Sequence, residues 1–223
     1  MESTRDGSPD ENENGYEVYY IKESGFKLLL AGLGQPGWYG LFSEEPQADA
    51  KQAQAVNTIL ADLYQNGVID WDGGGVAVRP PYADMLSCML EKKRCVTIQP
   101  QDPAALIRCC YLSARAVVQT QKSRREKQTL GLAYVSRRQW MRLLEEELVR
   151  METGEHTGFC VRHSENGRIE RQMQVQRDGL RSFQITWDKE GAGIRCMQDE
   201  LGKKLGELLW ADSRGQLSQK QGE

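Results

Sequence analysis

Apolar residues along this chain recur with two different periods, and the change of period divides it. Between 47 and 66, Ala53, Val56, Leu60, Leu63 and Tyr64 return every three or four positions, which places them on one face of a helix. Gly67 follows as the left-handed residue that ends it. A second helical stripe, Tyr82, Met85, Leu86, Met89 and Leu90, runs over 82–93. Between the two stripes, Val68-Ile69-Asp70-Trp71 and Val76-Ala77-Val78 flank Asp72-Gly73-Gly74-Gly75, the pattern of a hairpin with a glycine-rich turn. Upstream, Glu17-Val18-Tyr19-Tyr20-Ile21 reads as a short strand and 26–33 as a short helix. Glycine and proline break the pattern over 34–40.

From residue 94 the period becomes that of strands. Runs at 95–98, 105–111, 114–121 and 128–135 predict four strands, the last two joined by a charged turn over 122–127. Ser136 is placed to cap a helix reaching 149, with Trp140, Leu143, Leu144 and Leu148 on one face. Glu145, Glu146 and Glu147 lie late in that helix, against its dipole, and read as a solvated face. Strands at 157–163 and 168–176 flank Asn166-Gly167, a strong hairpin signal, and a strand at 180–187 follows Asp178-Gly179. A last stripe, Ile194, Met197, Leu201, Leu205, Leu208 and Leu209, predicts a helix over 192–210.

These elements predict an α+β fold of antiparallel sheet packed with amphipathic helices. The helix–hairpin–helix order at 47–93 is winged-helix-like. The segments 94–150 and 157–210 each read as strands and then one helix, a pseudo-repeat of element order with no repeat of residues. Residues 1–15 and 211–223 lack large apolar side chains beyond Met1 and Leu217 and read as disordered tails, the first acidic. The body divides into a helical part with a wing, 16–93, and a sheet with helices, 94–210, forming one continuous domain.

Composition narrows the classes. Hydrophobic residues at 39% of 223 suffice for a core, which argues against wholesale disorder. No apolar run approaches the roughly 18 residues of a membrane helix, and the polar N-terminal segment has no leader-like apolar stretch. The formal net charge of -3 is unlike that of a strongly basic nucleic-acid-binding domain. Six cysteines at 88, 95, 109, 110, 160 and 196 form no paired CxxC motif, and most lie within apolar runs. They read as small buried hydrophobes in a reducing, cytoplasmic setting.

No motif carries recognisable catalysis, so no catalytic, cofactor or metal residues are assigned. Gly73-Gly74-Gly75 lacks the Gly-Lys-Ser/Thr ending of a phosphate loop. His156 and Cys160 share one face of a strand and His163 the other, which splits a metal ligand set. Tyr19 and Glu23 match a short secretion-signal spacing but fall at a predicted strand. Two features suggest partner binding. Trp38, Tyr39 and Phe42 crowd three aromatics into a glycine-flanked loop. Arg124, Arg125 and Lys127, with Lys122, Arg137 and Arg138 nearby, make a basic patch. Residues 108–150 hold ten Lys or Arg against four Glu. No aromatic residue interleaves with the basic run, as single-strand binding would want.

The order of features resembles a known family. It includes Leu63-x-x-x-Gly67-Val68-Ile69, the meander segments Ala114-Arg115-Ala116-Val117-Val118 and Leu130-Gly131-Leu132-Ala133-Tyr134-Val135, and the helix Gln139-Trp140-Met141-Arg142-Leu143-Leu144. Over about 16–210 this is similar to the EspG-type chaperones of type VII (ESX) secretion loci and their shorter Gram-positive relatives. The resemblance implies a cytoplasmic chaperone that grips the hydrophobic tip of a helical-hairpin secretion substrate. The chain is shorter than the mycobacterial members. The family's substrate-binding loop aligns with no segment here, so no binding residue is carried over. The alternative expectation is a winged-helix DNA-binding regulator. Its recognition helix, 47–66, would carry only Lys51 against Asp49 and Asp62.

Overall fold

A computed structural model describes residues 10–11, 16–33, 52–91, 94–102, 105–124, 126–163, 168–187 and 192–210. In chain order they form β1 (Asp10–Glu11), β2 (Glu17–Lys22), α1 (Glu23–Gly32), α2 (Gln52–Gln65), β3 (Ile69–Trp71), β4 (Val76–Val78) and α3 (Tyr82–Glu91). The first meander follows, β5 (Arg94–Pro100), β6 (Arg108–Leu112), β7 (Ala116–Lys122) and β8 (Thr129–Ser136), leading into α4 (Arg137–Arg150). The second is β9 (His156–His163), β10 (Ile169–Arg177), β11 (Ser182–Trp187) and β12 (Ala192–Met197), leading into α5 (Gln198–Trp210). Ten strands make one antiparallel sheet in the order β1-β2-β8-β7-β6-β5-β9-β10-β11-β12, and β3 and β4 form a separate hairpin. The α+β class is therefore as the sequence predicts. Among the described residues no helix is long and apolar enough to cross a membrane.

Local chemistry explains the element ends. Gly67 takes φ +67°, its N–H bonds to the Tyr64 carbonyl at 3.0 Å, and the Val68 N–H reaches the Leu63 carbonyl at 2.9 Å. These two bonds satisfy carbonyls that the end of α2 would otherwise orphan. The Ser136 hydroxyl accepts from the Gln139 N–H at 3.2 Å and starts α4. At the other end of α4, the Arg177 guanidinium donates to the Val149 and Met151 carbonyls, each at 2.5 Å.

The two meanders meet at β5 and β9, which pair antiparallel with Ile98 opposite Phe159. Helices α4 and α5 lie on the same face and bury Trp140, Leu144 and Leu148, and Leu201, Leu205 and Leu209. Each buried residue of α5 follows its counterpart in α4 by 61 positions (140 to 201, 144 to 205, 148 to 209). Gly202 of α5 lies against the Glu145 side chain of α4: a Cβ there would stand 2.5 Å from its carboxylate oxygen, so the carboxylate would have to swing aside. On the opposite face, α1, α2 and α3 cover only the β2-β8-β7-β6-β5 half, through Phe26, Leu63, Met85, Leu130 and Leu132.

Three expectations need correction. Residues 192–197 are strand β12, and the last helix begins at Gln198. Ile194, Met197 and Leu201 happen to share helical spacing, but six ladder positions against β11 decide the matter. The Met197 N–H bonds to the Glu200 carboxylate at 3.3 Å, which marks the true helix start. Within the predicted N-terminal tail, Asp10 and Glu11 form β1 beside Val18 and Glu17; the rest of both tails lies outside the described residues. Finally, Glu147 does more than face solvent, because it holds Arg108 at 2.7 Å.

Candidate partner-binding surface

The basic tip sits where β7 turns into β8, at the β2 side of the sheet. Gln128 takes φ +59°, and its carbonyl accepts from the Glu23 N–H at 2.8 Å, which ties the turn to the start of α1. Lys122 reaches the Glu23 carboxylate at 3.6 Å, so part of the tip's charge is answered from within the chain. Arg124 and Lys127 are exposed on this turn. Arg125 lies outside the described residues, as do Trp38, Tyr39 and Phe42. Arg137 is drawn away from the tip: its guanidinium stacks 4.2 Å from the Trp210 ring centre. Trp210 in turn meets Trp140 edge to face at 5.7 Å and donates from its indole to the Ser113 carbonyl at 3.1 Å.

A cavity of about 290 Å³, not expected from the sequence, opens beside α4. Its lining includes Tyr16, Gln119, Trp140, Arg108, Glu147 and Arg150. Gln119 is a buried amide on the floor. Its oxygen accepts from the Trp140 indole at 3.3 Å and its nitrogen donates to the Tyr16 hydroxyl at 3.5 Å. The Arg108–Glu147 pair stands among the lining residues. The one sequence signal was an amide within the otherwise apolar run Val117-Val118-Gln119, since a buried polar side chain must find partners.

The thiols with shifted pKa values are buried. All six cysteines are free, and only Cys160 is not fully buried. Burial pushes the Cys110 thiol up to about 12. Cys95 is raised by its hydrogen bond to Cys109, then by burial, and the same bond lowers Cys109. Cys109 is also 3.7 Å from the Thr97 hydroxyl, between two strands and without exposure. A lowered thiol so enclosed meets no solution electrophile. Three tyrosines are shifted as well, Tyr111 upward by burial first. Tyr82 is raised to about 12 by burial and the neighbouring Tyr19, and its hydroxyl donates to the Tyr20 carbonyl at 3.1 Å. Tyr19 is raised to about 12 by its hydrogen bond to Glu17 and by burial.

His156 and Cys160 stand opposite Gln176 and Gln172 on β10. Among the described residues no group of three or more His, Cys, Asp or Glu is placed to hold a metal ion.

The geometry defines an α+β protein with a basic hairpin tip and a polar-floored cavity beside α4. No family model matches the chain, and no curated protein is significantly similar to it.

Proposed function

We propose that this chain is a non-enzymatic binding protein, a cytoplasmic chaperone or adaptor for a helical-hairpin partner of a type VII-like secretion system. The observation that carries the proposal is the arrangement of two four-stranded meanders, each followed by one amphipathic helix, joined edge to edge at β5 and β9. The constant interval between the buried residues of α4 and α5 supports reading these halves as a pseudo-repeat. That reading agrees with the repeated strands-plus-helix theme on which the EspG-type resemblance rests. Arg124 and Lys127 on the exposed tip are the residues proposed to meet the partner, through charge that steers association.

The second reading, a winged-helix DNA-binding regulator, is favoured by the α2–β3–β4–α3 order. The chemistry of the hairpin favours a protein instead. Its outer end exposes Trp71 and Val76, opposite each other, beside Asp72. Asp70 is already held by Arg79 at 2.9 Å. A wing entering a DNA groove would present cations there.

The test is affinity capture of the tagged full chain from its native cytosol, with mass spectrometry of what is retained. A small helical-hairpin protein should be recovered, and the pair Arg124→Glu and Lys127→Glu should reduce its recovery about tenfold or more. Recovery of nucleic acid, or of no helical protein, would contradict the proposal.

A further inference from the structure

The two edges of the sheet are finished differently. Beyond β2, the chain supplies β1, a strand of two residues in which Asp10 and Glu11 pair with Val18 and Glu17. A very short edge strand gives another strand little to pair with. At the far end, β12 pairs only with β11 among the described residues.

The direction of the free backbone groups on β12 follows from the register. Ser182 stands opposite Met197, and the Gln198 N–H donates to the Arg181 carbonyl at 2.9 Å, so residues 198 and 181 form a hydrogen-bonded pair. Antiparallel ladders alternate bonded and non-bonded pairs, so Cys196 and Ile194 also bond inward, to Phe183 and Ile185. The N–H and C=O groups of Gly193 and Arg195 therefore point away from β11, to the open side.

The usual protections are missing on this strand. It has no proline and no lysine. Its one charge, on an Arg195 side chain that is 66% exposed, is answered within the chain: the guanidinium lies 2.9 Å from the Asp178 carboxylate and 3.3 Å from the Ser182 hydroxyl.

We propose that β12 is a homodimer interface, on which a second copy of this chain adds its own β12 antiparallel and extends one sheet through both molecules. The strand is self-complementary in one register. With Ile194 opposite Ile194 of the second copy, each Arg195 faces the other copy's Gly193 on the same side of the sheet. Glycine presents no side chain there, so the two guanidiniums are not set against each other. Gly193 is also required within its own chain, since a Cβ would stand 2.6 Å from the Ile185 carbonyl oxygen. The join would repeat one the molecule already contains, where β5 and β9 unite two meanders antiparallel with α4 and α5 on a common face. Helix α5, packed on β11 and β12, would then lie beside its copy across the new two-fold.

The test is sedimentation velocity of the full chain over a concentration series. The wild type should show a concentration-dependent dimer. Arg195→Pro removes an N–H that points only outward, so it should weaken dimerisation about tenfold or more relative to Arg195→Ala, which loses the same contacts to Asp178 and Ser182 but keeps the N–H. Ile194→Cys supplies a second readout that does not depend on how the proline variant folds. The register places residue 194 against itself in a non-bonded pair, where the side chains are closest, so mild oxidation should give a 194-to-194 intermolecular disulfide found by peptide mass spectrometry. A wild type that stays monomeric throughout, a proline variant that dimerises as tightly as Arg195→Ala, or oxidised Ile194→Cys without the 194-to-194 link would each overturn the proposal.

Discussion

The sheet has two halves that share one core face and differ on the other. In β7 and β8, both faces are covered: five consecutive residues of β7, Ala116 to Thr120, and five of β8, Thr129 to Ala133, are buried. In β10 burial alternates, with Met173 and Val175 inside and Gln172, Gln174 and Gln176 outside. The sequences differ in the same way. Strands closed on both sides read as near-continuous apolar runs, while a strand with one wet face alternates. Among the described residues, the outer face of β10–β12 carries glutamine, threonine and arginine rather than a continuous apolar stripe.

The first way to break this comparison is to cut the tie between the halves. Arg94 on β5 reaches across β9 to Glu170 on β10 at 2.7 Å, and the two side chains are 12% and 8% exposed. Glu170→Ala takes a carboxylate partner from a nearly buried guanidinium and should cost about 3 kcal/mol in chemical denaturation. A loss below about 1 kcal/mol would show that solvent reaches the pair and that the shared core, not this ion pair, joins the halves.

A smaller effect appears at alkaline pH and belongs to the doubly covered half. Tyr82 and Tyr19 have folded values of about 12 against an ordinary 10. Below about pH 10 both stay protonated whether folded or not, and their contribution is constant. Between about 10 and 12 the unfolded chain loses protons that the folded chain keeps, so stability falls with rising pH. Tyr82→Phe should flatten that fall, measured as unfolding midpoint against pH. An unchanged slope would place the loss elsewhere.

Much of the fold was legible because its signals are local. Gly67, Ser136 and the glycine-rich turn at 72–75 each fix an element end through a backbone requirement that residue type reveals. The Asn166-Gly167 turn lies outside the described residues, but the two strands it joins pair as expected. What was not legible depends on distant partners. Residues 192–197 carry an accidental helical spacing, and only β11 makes them a strand. The β5–β9 join brings together residues some sixty positions apart, with no turn to announce it. The basic tip was legible as a turn. The cavity was not, because Tyr16, Gln119 and Trp140 come from three distant places in the chain.

The measurement that tests the two-halved sheet most directly is paired equilibrium denaturation of Leu132→Ala and Gln174→Ala. Leu132 is 1% exposed beneath the N-terminal helices, and truncating it should cost about 2–5 kcal/mol. Gln174 occupies the uncovered face, and its truncation should change stability by no more than about 0.5 kcal/mol. Comparable losses at both positions would contradict the account, because they would mean that the second half is covered as fully as the first.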